Sequence, residues 1–221
     1  MFGTGRVKGA LALSAAGIVA AFLIAAWMLG GFGRPSRELA SSADVIGGAF
    51  QLTGADGQSV SDRDFRGKWL LVYFGYTHCP DICPTTLIDI SQTLRLLGED
   101  AVRFQPLFIS IDPKRDRPQI VGEYVKEFDD HIIGLTGTPE QIAVAAKAYR
   151  VFYARKKDAD EDSYFMEHTA FVYVMGPDGR YVTLLSPLEG QTPDLMASRL
   201  RELISLTQTG QTSPRSATPP Q

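Results

Sequence analysis

Cys79 and Cys83 are the chain's two cysteines, and they lie in the run Gly75-Tyr76-Thr77-His78-Cys79-Pro80-Asp81-Ile82-Cys83-Pro84-Thr85-Thr86. A thiolate is both a nucleophile and a metal ligand. A bridge between cysteines this close closes a very short loop and constrains the unfolded chain little, so stapling the fold is a poor use for the pair. Redox or metal chemistry is a better one. Residues i and i+4 of a helical turn share a face, so both sulfurs can approach one ion, or each other. A helix N-terminus stabilises a thiolate there, and Pro80 and Pro84 preset φ and restrict the loop.

Soft sulfur ligands select Cu(I), zinc or iron–sulfur clusters. With two cysteines in all, a zinc or iron–sulfur centre held by four cysteines of one chain is excluded. Three-coordinate copper needs one more donor, and the chain offers His78, His131 and His168. His78 precedes the expected helix and should point elsewhere. His131, in Asp129-Asp130-His131-Ile132, reads as a surface residue. His168, in Met166-Glu167-His168-Thr169, stands just before an expected strand at 170–175 whose entry should face the cysteine run, which makes it the expected third ligand.

The elements that must position these side chains follow from apolar periodicity. Residues 69–75 form a continuous apolar run, the pattern of a strand buried on both faces. Residues 86–97 place Leu87, Ile90, Leu94 and Leu97 at helical spacing. A second buried strand is expected at 104–111 and a helix at 118–128 with proline in its first turn. A capping box at Thr138-Pro139-Glu140-Gln141 opens a helix reaching about Tyr149. Strands at 170–175 and 181–185 flank the turn Gly176-Pro177-Asp178-Gly179, and a last helix runs from Thr192 to about Leu206. An early hairpin is expected around the turn 53–57. A βαβ unit followed by a hairpin and a C-terminal helix is the thioredoxin arrangement, with the cysteine pair where the first central strand meets its helix. The fold class is therefore α/β, thioredoxin-like, with an N-terminal hairpin extension and a preceding single transmembrane helix.

That helix is expected at residues 9–32, an uncharged run long enough for the roughly 20 apolar residues that span a bilayer. A cleaved signal peptide would have a shorter apolar core, about 7–15 residues, and Trp27 near the end of the run suits a membrane interface. The expected organisation is a tail at 1–8, an anchor at 9–32, a linker at 33–46, a copper-binding domain at 47–208 and a disordered polar tail at 209–221. An apolar fraction of 44% and a charged fraction of 21% suit a folded domain, and a net charge of −3 argues against a general nucleic-acid binder. The basic cluster Arg155-Lys156-Lys157 is followed at once by Asp158, Asp160, Glu161 and Asp162, and reads as a solvated loop.

From about Gly47 to Leu206 the chain resembles the Sco/SenC family of copper proteins that serve cytochrome c oxidase. The resemblance rests on the Cys-x3-Cys segment 75–84, on Ser110-Ile111-Asp112-Pro113-Lys114-Arg115-Asp116, on Gly134-Leu135-Thr136-Gly137, and on Glu167-His168-Thr169 followed by Gly176-Pro177-Asp178-Gly179. It implies copper bound by Cys79, Cys83 and His168. It also implies a role as a copper metallochaperone in assembly of the CuA site of cytochrome c oxidase subunit II, with other periplasmic copper chaperones or thiol reductants as further partners. Asp112 and Asp160–Asp162 resemble acidic positions near the family's site; loop capping and solvation explain them equally. The absence of an Arg/Ser-rich leader favours a bacterial inner-membrane protein with its domain in the periplasm. The competing reading is a thiol–disulfide oxidoreductase using Cys79 and Cys83 without metal, acting on the CuA-site cysteines or another periplasmic partner. The spacing favours metal, since ordinary reductases of this fold carry Cys-x2-Cys. A peroxiredoxin is excluded, because Tyr76 and Val72 stand where its Thr or Ser and its proline belong.

Overall fold

The computed structural model describes residues 46–156, 164–186 and 190–208, all within one compact unit, Val45–Gln221. The expected anchor at 9–32, both expected tails, almost all of the expected linker and the acidic run Asp160–Asp162 lie outside the described residues. No helix among the described residues is long and apolar enough to cross a membrane.

Strand β3 (Trp69–Gly75) is buried along its whole length, because it has a strand on each side and helices over both faces. It pairs in parallel with β4 (Phe104–Ser110) and antiparallel with β8 (Val172–Met175). Alternation sends Tyr73 and Gly75 to one face and Phe74 to the other. On the Tyr73 face lies α1 (Ile82–Leu97), beside α4 (Pro193–Gln208). The Ser91 hydroxyl of α1 donates to the Phe128 carbonyl just beyond α2 (Pro118–Lys126), placing α2 on this face as well. Phe74 instead meets Tyr149, at the end of α3 (Pro139–Ala148), with ring centroids 5.4 Å apart. Two helical layers therefore sandwich one sheet.

With β1 at Gln51–Gly54, β2 at Ser59–Ser61, β5 at Ile133–Thr136 and β9 at Tyr181–Leu185, the sheet runs β2-β1-β5-β4-β3-β8-β9. Its β4-β3-β8-β9 part, with α1, α3 and α4, is the thioredoxin-like core. The additions are α2 with β5, parallel to β4, and the hairpin of β1 (Gln51–Gly54) and β2 (Ser59–Ser61), which extends the sheet antiparallel to β5. The hairpin turns through Gly57 at φ +80°, a conformation that favours glycine. The capping box of α3 is formed: the Thr138 hydroxyl accepts from the Gln141 N–H, and the Gln141 side-chain oxygen accepts from the Thr138 N–H at 2.8 Å.

Two expectations need correction. Helix α1 opens at Ile82 rather than at Thr86, because Pro84 sits in its first turn, where a missing N–H costs no helical bond. Strand β8 begins at Val172 rather than at 170. The segment before it belongs instead to a separate two-stranded hairpin, β6 (Tyr153–Arg155) with β7 (Met166–His168), in register Tyr153↔His168 and Arg155↔Met166.

Candidate metal centre

The chain leaves β3 at Gly75 and turns across the N-terminus of α1. Cys79 is therefore not on the helix: it lies in the turn before it, where its N–H donates to the Tyr76 carbonyl. Cys83 is in the first turn of α1 and fully buried. Asp81, at the N-cap, makes no side-chain capping bond. The Cys79 sulfur lies 3.5 Å from the Cys83 N–H, and so occupies the acceptor position a cap would fill. The two sulfurs approach because a loop folds over a helix end, not through the i, i+4 spacing of one helical face.

Room for the buried sulfur comes from Gly75. A Cβ built there would stand 2.8 Å from Cys83 Sγ and 2.7 Å from the Phe108 ring. Only a glycine lets strand and sulfur come this close.

The third member is His168, at the end of β7, with Nε2 3.6 Å from Cys83 Sγ. One donor atom each from Cys79, Cys83 and His168 all lie within 4.8 Å of one another. His168 Nδ1 lies 3.0 Å from the Thr169 carbonyl oxygen. That oxygen only accepts, so Nδ1 carries a proton and Nε2 is the nitrogen that faces the sulfurs. The rings of Tyr73 and Tyr76 meet the imidazole edge-on, at 6.2 and 5.9 Å, and confine it. The other histidines are placed elsewhere. His78 Nδ1 contacts the Thr77 hydroxyl at 3.0 Å and the Asp116 carboxylate at 3.6 Å. His131 is exposed and pairs with Asp129.

The sulfurs are electrostatically unlike. A hydrogen bond from the Cys83 thiol is the largest of several effects that hold Cys79 far below the usual thiol range; His168 and the backbone N–H groups of Asp81 and Cys83 add to it, against a cost of burial. The same bond, with burial, pushes Cys83 far up. The metal-free pair is thus one thiolate and one thiol, and a bound cation would take the place of the remaining proton. The Tyr73 hydroxyl also donates to Cys83 Sγ, at 3.7 Å.

Asp116 holds the loop in place. It is fully buried, and its carboxylate accepts from the Thr77 N–H (2.9 Å), the Thr77 hydroxyl (2.6 Å) and the Ser110 hydroxyl (2.6 Å). It ties the entry of the cysteine loop to the end of β4. Asp112, flagged in the sequence, is also buried: it accepts from Arg115 Nε at 2.6 Å and from the Tyr164 hydroxyl at 2.7 Å. Asp112 is thus a structural acceptor rather than a solvated loop acid. The sequence reading gave no role to Asp116, Tyr73 or Arg115. Period-2 alternation along β3 could have placed Tyr73 and Gly75 on the cysteine face.

Beside the sulfurs is an open cleft of about 370 Å³, lined by Tyr76, Cys79, Pro80, Ile82, Phe165 and His168 among others. Cys79 is half-buried at its wall and Cys83 lies below. Two sulfurs and an imidazole nitrogen form a soft, low-coordinate donor set reached from one side, which suits copper.

Comparison with known proteins places this geometry. The SCO1/SenC family model matches residues 39–205. The human mitochondrial protein described as an SCO1 homolog is 45% identical over 141 residues, covering 62% of this chain and 46% of its own length. The chain spans about half the length of the first curated relatives it matches. ScoI of Bradyrhizobium japonicum, solved with copper bound, is 44% identical with a TM-score of 0.65, over 71% of this chain and 98% of that one. ScoI of Arabidopsis thaliana, also solved with copper bound, is 38% identical with a TM-score of 0.67, over 72% of this chain and 98% of that one. With the family model matching well over half of its residues, the chain belongs to the SCO1/SenC family.

Proposed function

We propose that the chain binds copper through Cys79, Cys83 and His168 and carries it to the CuA site of cytochrome c oxidase subunit II. The observation that carries this reading is the convergence of two sulfurs and one imidazole nitrogen within 4.8 Å, at the wall of an open cleft. Two thiolates favour Cu(I), and the imidazole adds a donor suited to either oxidation state. Copper is here a cargo, so an open approach matters as much as affinity: an acceptor thiolate can enter the cleft and displace one ligand at a time. Copper-bound relatives of the same fold support the assignment. Residues 9–32 would hold the domain at the bacterial inner membrane on its periplasmic side, beside an oxidase that is itself in the membrane. Retention in the membrane fraction after a carbonate wash tests this placement, and a shortened, released form would oppose it. The function is tested by loading the full-length chain with one equivalent of Cu(I) and mixing it with the metal-free CuA domain. Copper should appear in the acceptor at a rate above that of free Cu(I) in a chelating buffer. Transfer no faster than the buffer alone would overturn the reading.

One observation favours a second role at the same residues. A low-lying Cys79 thiol beside a protonated Cys83 is the pairing needed for thiol–disulfide exchange. Cys79 thiolate would attack an acceptor disulfide, and Cys83 would resolve the mixed disulfide. The acceptor would leave as a dithiol and this chain as the Cys79–Cys83 disulfide. The roles exclude each other in time, because a disulfide has no thiolate left for the metal.

A further inference from the structure

His168 reaches the cysteines from a hairpin that is not part of the main sheet. A closed ring of three side chains ties the residue that leads into β7 to the segment that follows β4. Arg115 Nε donates to Asp112 at 2.6 Å. Arg115 Nη1 donates to the Tyr164 backbone carbonyl at 3.0 Å, just before β7. The Tyr164 hydroxyl closes the ring by donating to the other Asp112 oxygen at 2.7 Å. The Arg115 guanidinium also lies 3.6 Å from the centre of the Tyr164 ring and 5.8 Å from that of Tyr76. Tyr76 in turn packs edge-on against His168. Asp112 and Tyr164 are both buried, and the Arg115 side chain is mostly so.

The geometry points to Arg115 as a positioning residue: with Asp112 and Tyr164 it latches the β6–β7 hairpin and so presents His168 to the sulfurs. The inference rests on the copper reading for its consequence, though not for the latch itself. An ion pair closed by a second hydrogen bond and stacked on an aromatic ring is rigid enough to hold a short hairpin in one pose. Without it the hairpin samples positions in which Nε2 no longer faces the sulfurs. A ligand set present for a fraction of the time binds more weakly by that fraction. Cys79 and Cys83 are held by α1 and the Asp116 loop, so they stay in place.

The test uses the full-length chain and the variants Arg115→Met, Arg115→Lys, His168→Ala and the double variant Arg115→Met/His168→Ala. Arg115→Met should weaken Cu(II) binding on the order of tenfold, the usual size for a residue supporting a ligand, and reduce its nitrogen hyperfine signal, with Cu(I) affinity little changed. Arg115→Lys should fall between Arg115→Met and the parent. In the His168→Ala background, Arg115→Met should bring no further loss. A general loss of structure would weaken both oxidation states and add in both backgrounds. The metal-free arm is hydrogen exchange: peptides covering 151–156 and 164–170 should exchange faster in Arg115→Met, with β3 and α1 unchanged. Were the parent chain to bind no copper, the function reading would fall while the exchange arm still decides the latch. Unchanged exchange in the hairpin, or an equal Cu(II) loss with and without His168, overturns the proposal.

Discussion

Replacing Asp116 with alanine should be among the most damaging single changes outside the ligands themselves. The buried carboxylate accepts three hydrogen bonds, from the Thr77 N–H, the Thr77 hydroxyl and the Ser110 hydroxyl. Ser110 keeps one further contact, from the Asp112 N–H at 3.1 Å, so its hydroxyl oxygen stays partnered while its proton does not. Bonds to a charged acceptor contribute about 1.5–3 kcal/mol each, but they are not additive and part of the exposed polarity recovers water. Removing one partner from a buried charged network costs about 3–5 kcal/mol. For a domain of this size that corresponds to a drop in Tm of roughly 6–20 °C. Asp116→Asn keeps the volume and one acceptor oxygen but turns an NH2 group toward donors, and should cost about half as much. The assay is thermal and urea unfolding of the metal-free chain in mild detergent, followed by tryptophan fluorescence. Because Asp116 anchors the residues leading into Cys79, the variants should also lose copper affinity in proportion. A loss below about 0.5 kcal/mol for Asp116→Ala, the size of an ordinary surface change, would show that this carboxylate does not hold the loop.

Three further outcomes follow from the site. Cys79 is held at about 3 by the Cys83 thiol and His168, so it remains thiolate as the pH falls; iodoacetamide labelling of Cys79, followed by mass spectrometry, should keep a nearly constant rate from pH 8 to pH 5. An ordinary thiol would slow about tenfold per unit below its usual range, and such slowing would contradict the assignment. The same depressed value means that the stability Cys79 contributes is present above the unfolded thiol range and is lost as pH falls through the folded value, so Cys79→Ser should cost stability at pH 9.5 that largely disappears toward pH 3. Gly75→Ala should drive a methyl into Cys83 Sγ and Phe108, destabilising the fold by about 1–3 kcal/mol and weakening Cu(I) binding; a variant with parental unfolding and affinity would show that the strand and sulfur have room to spare.

Much of the architecture was legible in the sequence because its signals are local. The continuous apolar run at β3 marked the central strand, the Thr138–Gln141 box marked the start of α3, and Gly176–Gly179 marked the β8–β9 turn. The beginning of α1 is not legible because no apolar periodicity precedes Leu87, whereas the helix is started by loop geometry and a first-turn proline. The β6–β7 hairpin was missed for a different reason. Each strand has three residues, too few for alternation to be read, and the side chains that meet beside the hairpin, Arg115 and Tyr164, are far apart in the chain. The sequence points to His168 through its expected place beside a strand. The structure puts it near the cysteines by another route, on the hairpin, so its proximity to them was legible but its support was not. Asp116 was invisible for the same reason as Arg115: a buried polar residue is recognised by partners in space, and a single sequence does not show them.

X-ray absorption at the copper edge, on the full-length chain loaded with one equivalent of Cu(I), measures the ligand set itself. The parent chain should show two sulfur neighbours and one nitrogen. His168→Ala should lose the nitrogen and retain copper, His78→Ala and His131→Ala should keep the parental pattern, and Cys79→Ser and Cys83→Ser should lose tight binding. A nitrogen that persists in His168→Ala and vanishes in His78→Ala, or tight copper binding that survives replacement of either cysteine, would contradict this ligand set.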